Sequence, residues 1–383
     1  MNAKKLLASL QIAGRTYYSN KEFLQETREG LKSGEYECVI KLLEESNRRM
    51  PTDYQESHFY DIVKESFDSL AETLTNNEIK FGGITVHPEK IPLFGTTDFK
   101  GYNAFVEADG EEKIIVFNND LLKFTQHMIE LYTKEHWLSS KGLINKNLKK
   151  ILAQNFVDAM LCYEIFSDAY ATIPLAWCEI SNLDDLDNPD KIYEVTSSVD
   201  DLIDFEQYFL FENQIRISVY QWIAAHEYAH IVLGHLNSNT KSKRINLCGH
   251  TVTEVSFSYQ KEYDADLLGT IITLQGCDSL FSANGICLAM YCILLSQLYE
   301  ELDISLSHPP IQDRMDKVFS FMDNNKQFLV TNYQIVEDII ISNFCIYKKV
   351  INEMISNEMR FDSPLEMQKY VYKNCNVFNE LLQ

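Results

Sequence analysis

Two of the nine histidines stand four residues apart, with a glutamate directly after the first: His226-Glu227-Tyr228-Ala229-His230. On a helix, residues four apart share a face, so both imidazoles can converge on one metal ion. Glu227, turned about 100° from His226 at 3.6 residues per turn, then stands beside that ion. This is a set that can bind zinc (Zn2+) and take a proton from the water that zinc activates, with Glu227 as general base. The same spacing also suits a buried helix with two hydrogen-bonded histidines, so other segments must be weighed with it. A metzincin would need glycine at 233 and a third histidine at 236. The chain has Leu233 and Leu236, with Gly234 and His235 each displaced by one residue. That subclass is excluded, and a third ligand must come from elsewhere.

The next segment with suitable chemistry is Glu262-Tyr263-Asp264-Ala265-Asp266, on a second expected helix where Glu262 and Asp266 share a face. Ala265 and Gly269 are small enough to let this helix approach the histidine helix closely. Glu262 is therefore assigned as the third ligand. Asp266, one turn on, can accept a hydrogen bond from the free ring N–H of a ligating histidine and so fix its tautomer. His250 and Glu254 remain weaker candidates for the third ligand. A third segment, Ser307-His308-Pro309-Pro310-Ile311-Gln312-Asp313-Arg314, has two prolines that rigidify a turn and can open a helix. His308 and Arg314 can then face one cleft as a donor and a cation for a developing oxyanion, although a helix-capping turn would look the same.

These residues need elements to position them. Apolar spacing predicts a helix from about Glu212 to Leu233, closed by Gly234 as a left-handed cap, and a second from about Val255 to Gln275. Upstream, the pattern is helical to about Asn77. Ile84 to Val86 and Asn103 to Val106 then read as strands, and Asp109-Gly110 signals a hairpin into Ile114-Ile115-Val116. Helices are expected at about Asp120 to His136 and Asn147 to Tyr170, followed by an acidic loop with Asp184, Asp185, Asp187 and Asp190. Lacking the glycine and terminal glutamate of an EF-hand, that loop reads as solvated rather than calcium-binding. The expected class is α+β, predominantly helical, with a small antiparallel sheet and an active-site helix bundle.

Composition narrows the functional classes. A 45% hydrophobic and 12% aromatic chain can bury a sizeable core. The net charge of −22 repels phosphate backbones and anionic lipid, which argues against direct nucleic-acid binding. Nine cysteines without a Cys-x-x-Cys pair argue against a disulfide framework and for a reducing compartment. Polar Gln11, Arg15 and Asn20 interrupt any signal-peptide core, so a cytoplasmic location is expected. Leu280 to Tyr299 carries no charge over roughly a bilayer's span. Asn284, Gly285, Ser296 and Gln297 dilute it, however, and it reads as a buried helix rather than a membrane insertion.

Together, the His-Glu-x-x-His helix, the Glu-x-x-Ala-Asp helix and the His-Pro-Pro-x-x-x-Arg turn resemble the gluzincin peptidases of the HtpX and CAAX-prenyl endopeptidase type. That resemblance implies a gluzincin-like core with His226, His230 and Glu262 as zinc ligands and Glu227 as base, while His308 and Arg314 stabilise the intermediate. Those peptidases are usually membrane-embedded, and this chain lacks convincing spans. The hairpin, the following helices and the intervals between motifs are more similar to the soluble phage-exclusion Lit peptidases, over roughly Glu78 to Met322. The Lit resemblance implies a phage-defence role, a protein substrate such as a host translation factor, and a phage-derived trigger. The segment Asn237 to Gln260, with basic Lys241, Lys243 and Arg244, is longer than in Lit. The expected organisation is a helical region at 1–77, a zinc metallopeptidase domain at 78–322 and a helical region at 323–383. The competing expectation is a non-catalytic zinc-containing sensor or protein-interaction module.

Overall fold

The computed structural model of the chain describes residues 2–14, 19–22, 24–25, 37–55, 57–98, 102–142, 205–237, 241–247, 250–256, 259–276, 279–300, 309–324, 342–357, 359, 361, 367, 370–371 and 373–375. Helices α1 (Ala3–Ala13), α2 (Glu37–Arg49) and α3 (Ser57–Asn76) come first. They are followed by short strands β1 (Lys80–Phe81) and β2 (Ile84–Thr85), then β3 (Leu93–Thr97), β4 (Ala104–Asp109) and β5 (Glu112–Asn118). Helix α4 (Asn119–Ser140) precedes the long α5 (Phe205–Val232), and the hairpin β6 (Lys241–Leu247) and β7 (His250–Ser256) leads into α6 (Tyr259–Gly276). Helices α7 (Ser279–Glu300), α8 (Ile311–Asn324) and α9 (Ser342–Ser356) complete the order. The helix expected at 147–170 and the acidic loop at 184–190 lie outside the described residues.

β4 and β5 form the expected antiparallel hairpin, with Asp109 paired to Glu112 across the Gly110-Glu111 turn. β3 lies on the other side of β5 and runs parallel to it, Leu93 against Ile114 and Thr97 against Asn118. β5 is thus the central strand, and Ile114, Ile115, Val116 and Phe117 are all fully buried. Strand alternation explains why both faces are covered. Ile114 and Val116 pack with Leu6 and Leu7 of α1, while Ile115 and Phe117 join the main core.

Helix α5 is the spine of that core. It packs against α3, α4, α6 and α7 and touches β4 and β5, so its side chains from Ser218 to Ile231 are buried in an unbroken run. Burying a large apolar side chain contributes roughly 1.5–3 kcal/mol, and Tyr220, Trp222 and Tyr228 are all but inaccessible. Their polar atoms find partners: Tyr220 Oη donates to Leu122 O at 2.9 Å, Trp222 Nε1 to Thr270 Oγ1 at 3.1 Å and Tyr228 Oη to His87 O at 2.5 Å. Each bond pins α5 to a different neighbour, so helix rotation is set independently of the His226 and His230 side chains. The helix begins at Phe205, earlier than its periodicity suggested. Phe209 and Leu210, in its second turn, are exposed, and apolar residues turned to solvent break the period.

The uncharged stretch at 280–299 is α7, whose Ala283, Ile286, Leu288, Ala289 and Met290 are buried against α5. No helix among the described residues is long and apolar enough to cross a membrane.

α6 crosses α5 at Gly269. A Cβ there would stand 3.1 Å from His226 N and 3.3 Å from His226 Cα, so the expected small-residue contact lies directly under the first histidine. Valine at 269 cannot fit without separating the helices. Overpacking of this kind costs about 1–3 kcal/mol, and Gly269→Val should lower the urea midpoint accordingly. A wild-type midpoint for that variant would show that α5 and α6 do not meet there.

Candidate metal centre

The site is assembled from three helices. α5 supplies His226, Glu227 and His230, α6 supplies Glu262 and Asp266, and α8 supplies Arg314. All six side chains are buried. One ligand atom from each of His226, His230 and Glu262 lies within 4.8 Å of the others. His226 Nε2 and His230 Nε2 are 3.2 Å apart. Glu262 Oε2 is 3.7 Å from His226 Nε2, and Glu262 Oε1 is 3.7 Å from His230 Nε2.

These spacings can be tested against a metal. Ligands about 2.0–2.1 Å from a tetrahedral ion stand about 3.3 Å from one another, and 3.2–3.7 Å brackets that value. Two imidazoles and a carboxylate are also a suitable donor set for a divalent ion, with one tetrahedral position left over. The residues fit a metal ion. Charge agrees: three acidic side chains face one guanidinium in a site away from water, and a dication would offset the excess.

Asp266 and Arg314 form the frame of this centre. Arg314 Nε donates to Asp266 Oδ2 at 2.8 Å and Nη2 to Oδ1 at 2.7 Å, a two-point pair that fixes both planes. Asp266 Oδ1 also lies 3.0 Å from His226 Nδ1. Burial alone would raise the Asp266 carboxyl, but Arg314 and His226 bring it down to about 2. The same carboxylate raises the pKa of His226 against the opposing effect of burial. Arg314 was expected to face a cleft beside His308. Two of its nitrogens are committed to Asp266, and the nearest Arg314–Glu262 ion-pair distance is 4.0 Å. His308 lies outside the described residues.

Glu227 sits beside the three candidate ligands rather than among them, Oε1 4.0 Å from His226 Nε2. Burial first, with the negative Glu262 adding to it, pushes its carboxyl up to about 8 despite the opposing His226 and Arg314. Positive charge brought to the three ligand atoms would favour its ionised form. His250 and Glu254, the weaker ligand candidates, lie on β7, whose register pairs them with Leu247 and Lys243.

Sequence reasoning missed His235, which it met only as a displaced metzincin position. Gly234 has φ +70°, a left-handed conformation that closes the helix as expected and reverses the chain. That reversal brings His235, also buried, back over the last turn, with Nδ1 3.0 Å from His230 Nδ1. Burial first, and then Lys261, lower its pKa to about 4. The glycine cap was the available signal, because it marks a reversal of the chain directly after α5.

Residues 168–332 match the model of a family described as Peptidase U49. The match covers less than half of the chain, yet it spans α5 through α8 and therefore every residue of the centre. No curated protein and no solved structure matches. The family match supports a peptidase, and the His226, His230 and Glu262 cluster is compatible with a metal-dependent one.

Proposed function

We propose that the protein is a zinc-dependent endopeptidase of the gluzincin type, working in the cytoplasm, with residues 78–322 as its catalytic domain. The observation that carries this reading is the convergence of His226 Nε2, His230 Nε2 and the Glu262 carboxylate, with Glu227 beside them. When bound there, zinc supplies Lewis acidity toward a water molecule and a peptide carbonyl. The chain's own groups do the rest. Glu227 removes the proton of the attacking water and returns it to the leaving amine. Asp266 holds the His226 ring in the tautomer that leaves Nε2 free for metal. His308 and Arg314 are assigned to the oxyanion. With Nε and Nη2 on Asp266, any direct contribution from Arg314 falls to Nη1. A structural metal site has no need of a general base beside its ligands, so the placement of Glu227 favours catalysis over a non-catalytic zinc-containing sensor.

The resemblance to Lit-type peptidases extends the proposal to phage defence, with a host protein such as a translation factor as substrate and a phage product as trigger. New protein termini in phage-challenged cells expressing wild-type or Glu227→Gln protein would identify the cleavage. Identical termini from both forms would overturn the mechanism.

On purified protein, wild type and Glu227→Gln should each hold about one zinc per chain, whereas Glu262→Ala should lose it. Once a substrate is in hand, Glu227→Gln should be slower by about 10²–10⁴-fold. Elemental analysis and initial rates check both expectations. Zinc retained by Glu262→Ala but lost by His250→Ala or Glu254→Ala would move the third ligand to β7.

Arg314→Met leaves Asp266 buried without its two-point partner and should cost about 3–5 kcal/mol in urea unfolding. Arg314→Met with Asp266→Leu should recover much of that loss, because an apolar pair needs no compensation. A cost below about 1 kcal/mol for the single variant would mean that solvent reaches Asp266.

A further inference from the structure

The two histidines of the centre are anchored differently. His226 Nδ1 meets a carboxylate, Asp266, at 3.0 Å, whereas His230 Nδ1 meets a third imidazole, His235 Nδ1, at 3.0 Å. Between two facing ring nitrogens one must donate and the other accept. His230 Nε2 points to the common ligand position, 3.2 Å from His226 Nε2 and 3.7 Å from Glu262 Oε1. To offer a lone pair there, His230 must carry its proton on Nδ1. His235 is then the acceptor, with its own proton on Nε2.

We infer that His235 is a positioning residue that accepts the Nδ1–H of His230 and so holds His230 in the tautomer and orientation that bind metal. The inference rests on the metal-centre reading above and adds a residue to it. Three observations support it. Gly234 turns the chain back at φ +70°, which seats the two rings with centroids 5.1 Å apart and planes at 66°. His235 is 6% exposed, so bulk water does not readily replace it as acceptor. Its carbonyl accepts from Lys261 Nζ at 2.9 Å, and Lys261 immediately precedes Glu262 on α6. His235 is thereby tied to both helices that carry the ligands. A neutral acceptor also avoids adding a fourth carboxylate to a site that already contains Glu227, Glu262 and Asp266.

The test is zinc affinity of the full-length protein by chelator competition, with unfolding of the metal-free forms measured alongside. Wild type, His235→Leu and His235→Asn are compared, because the asparagine Oδ1 can stand where Nδ1 stands and accept the same proton. His235→Leu should bind zinc about 10–100-fold more weakly, the usual effect of removing such a support. His235→Asn should stay within about threefold of wild type. Wild-type zinc affinity in His235→Leu, with or without a loss of metal-free stability, would reduce His235 to a packing residue and overturn the inference while leaving the metal centre intact. Equal weakening in both variants would also overturn it, since the acceptor would not be what matters. Failure of the wild-type protein itself to bind zinc would remove the metal centre, and the inference with it.

Discussion

Taking an ionised carboxyl out of water costs several kcal/mol unless cations or hydrogen-bond donors replace the solvent, and this protein places Glu227, Glu262 and Asp266 together in its interior. The arrangement of the centre follows from how each is compensated. Asp266 is matched by the guanidinium of Arg314 and held at a pKa of about 2. Glu227 has no such two-point partner and is raised to about 8. Glu262 points its oxygens toward two imidazole nitrogens, where a divalent cation would match it.

That compensation depends on helices held at fixed distance and rotation. α5 is enclosed by α3, α4, α6, α7 and the sheet, with hydrogen bonds from Tyr220, Trp222 and Tyr228 setting its rotation. Gly269 lets α6 approach the backbone of His226, and α8 brings Arg314 in behind α6. A side-chain constellation carried on helices packed into one core is held more tightly than one carried on loops.

The parts of this arrangement that were legible in the sequence are local. His226 and His230 share a face because of their spacing, Glu262 and Asp266 do so for the same reason, and Ala265 with Gly269 marked the close contact. Gly234 ended α5 as expected, and Asp109-Gly110 marked the β4–β5 hairpin. The parts that were not legible join residues distant in the chain. The Asp266–Arg314 pair bridges α6 and α8, and periodicity carries no information about which buried carboxylate an arginine will meet. The parallel pairing of β3 with β5, and the cover that α1 lays over Ile114 and Val116, are likewise long-range. The stretch after Asn237, legible only as a basic insertion, contains the β6–β7 hairpin. Its strands lack the continuous apolar run, Ile114 to Phe117, that marked β5. His235 lies between these cases, since its reversal was readable from Gly234 but its partner was not.

The central claim is that His226, His230 and Glu262 hold one zinc ion, and diffraction from crystals of zinc-replete protein on either side of the zinc absorption edge tests it most directly. The account predicts one anomalous peak per chain, about 2.0–2.2 Å from Nε2 of each histidine and from a Glu262 carboxylate oxygen. An empty position among those three atoms, or a zinc peak on a different set of side chains, would contradict it.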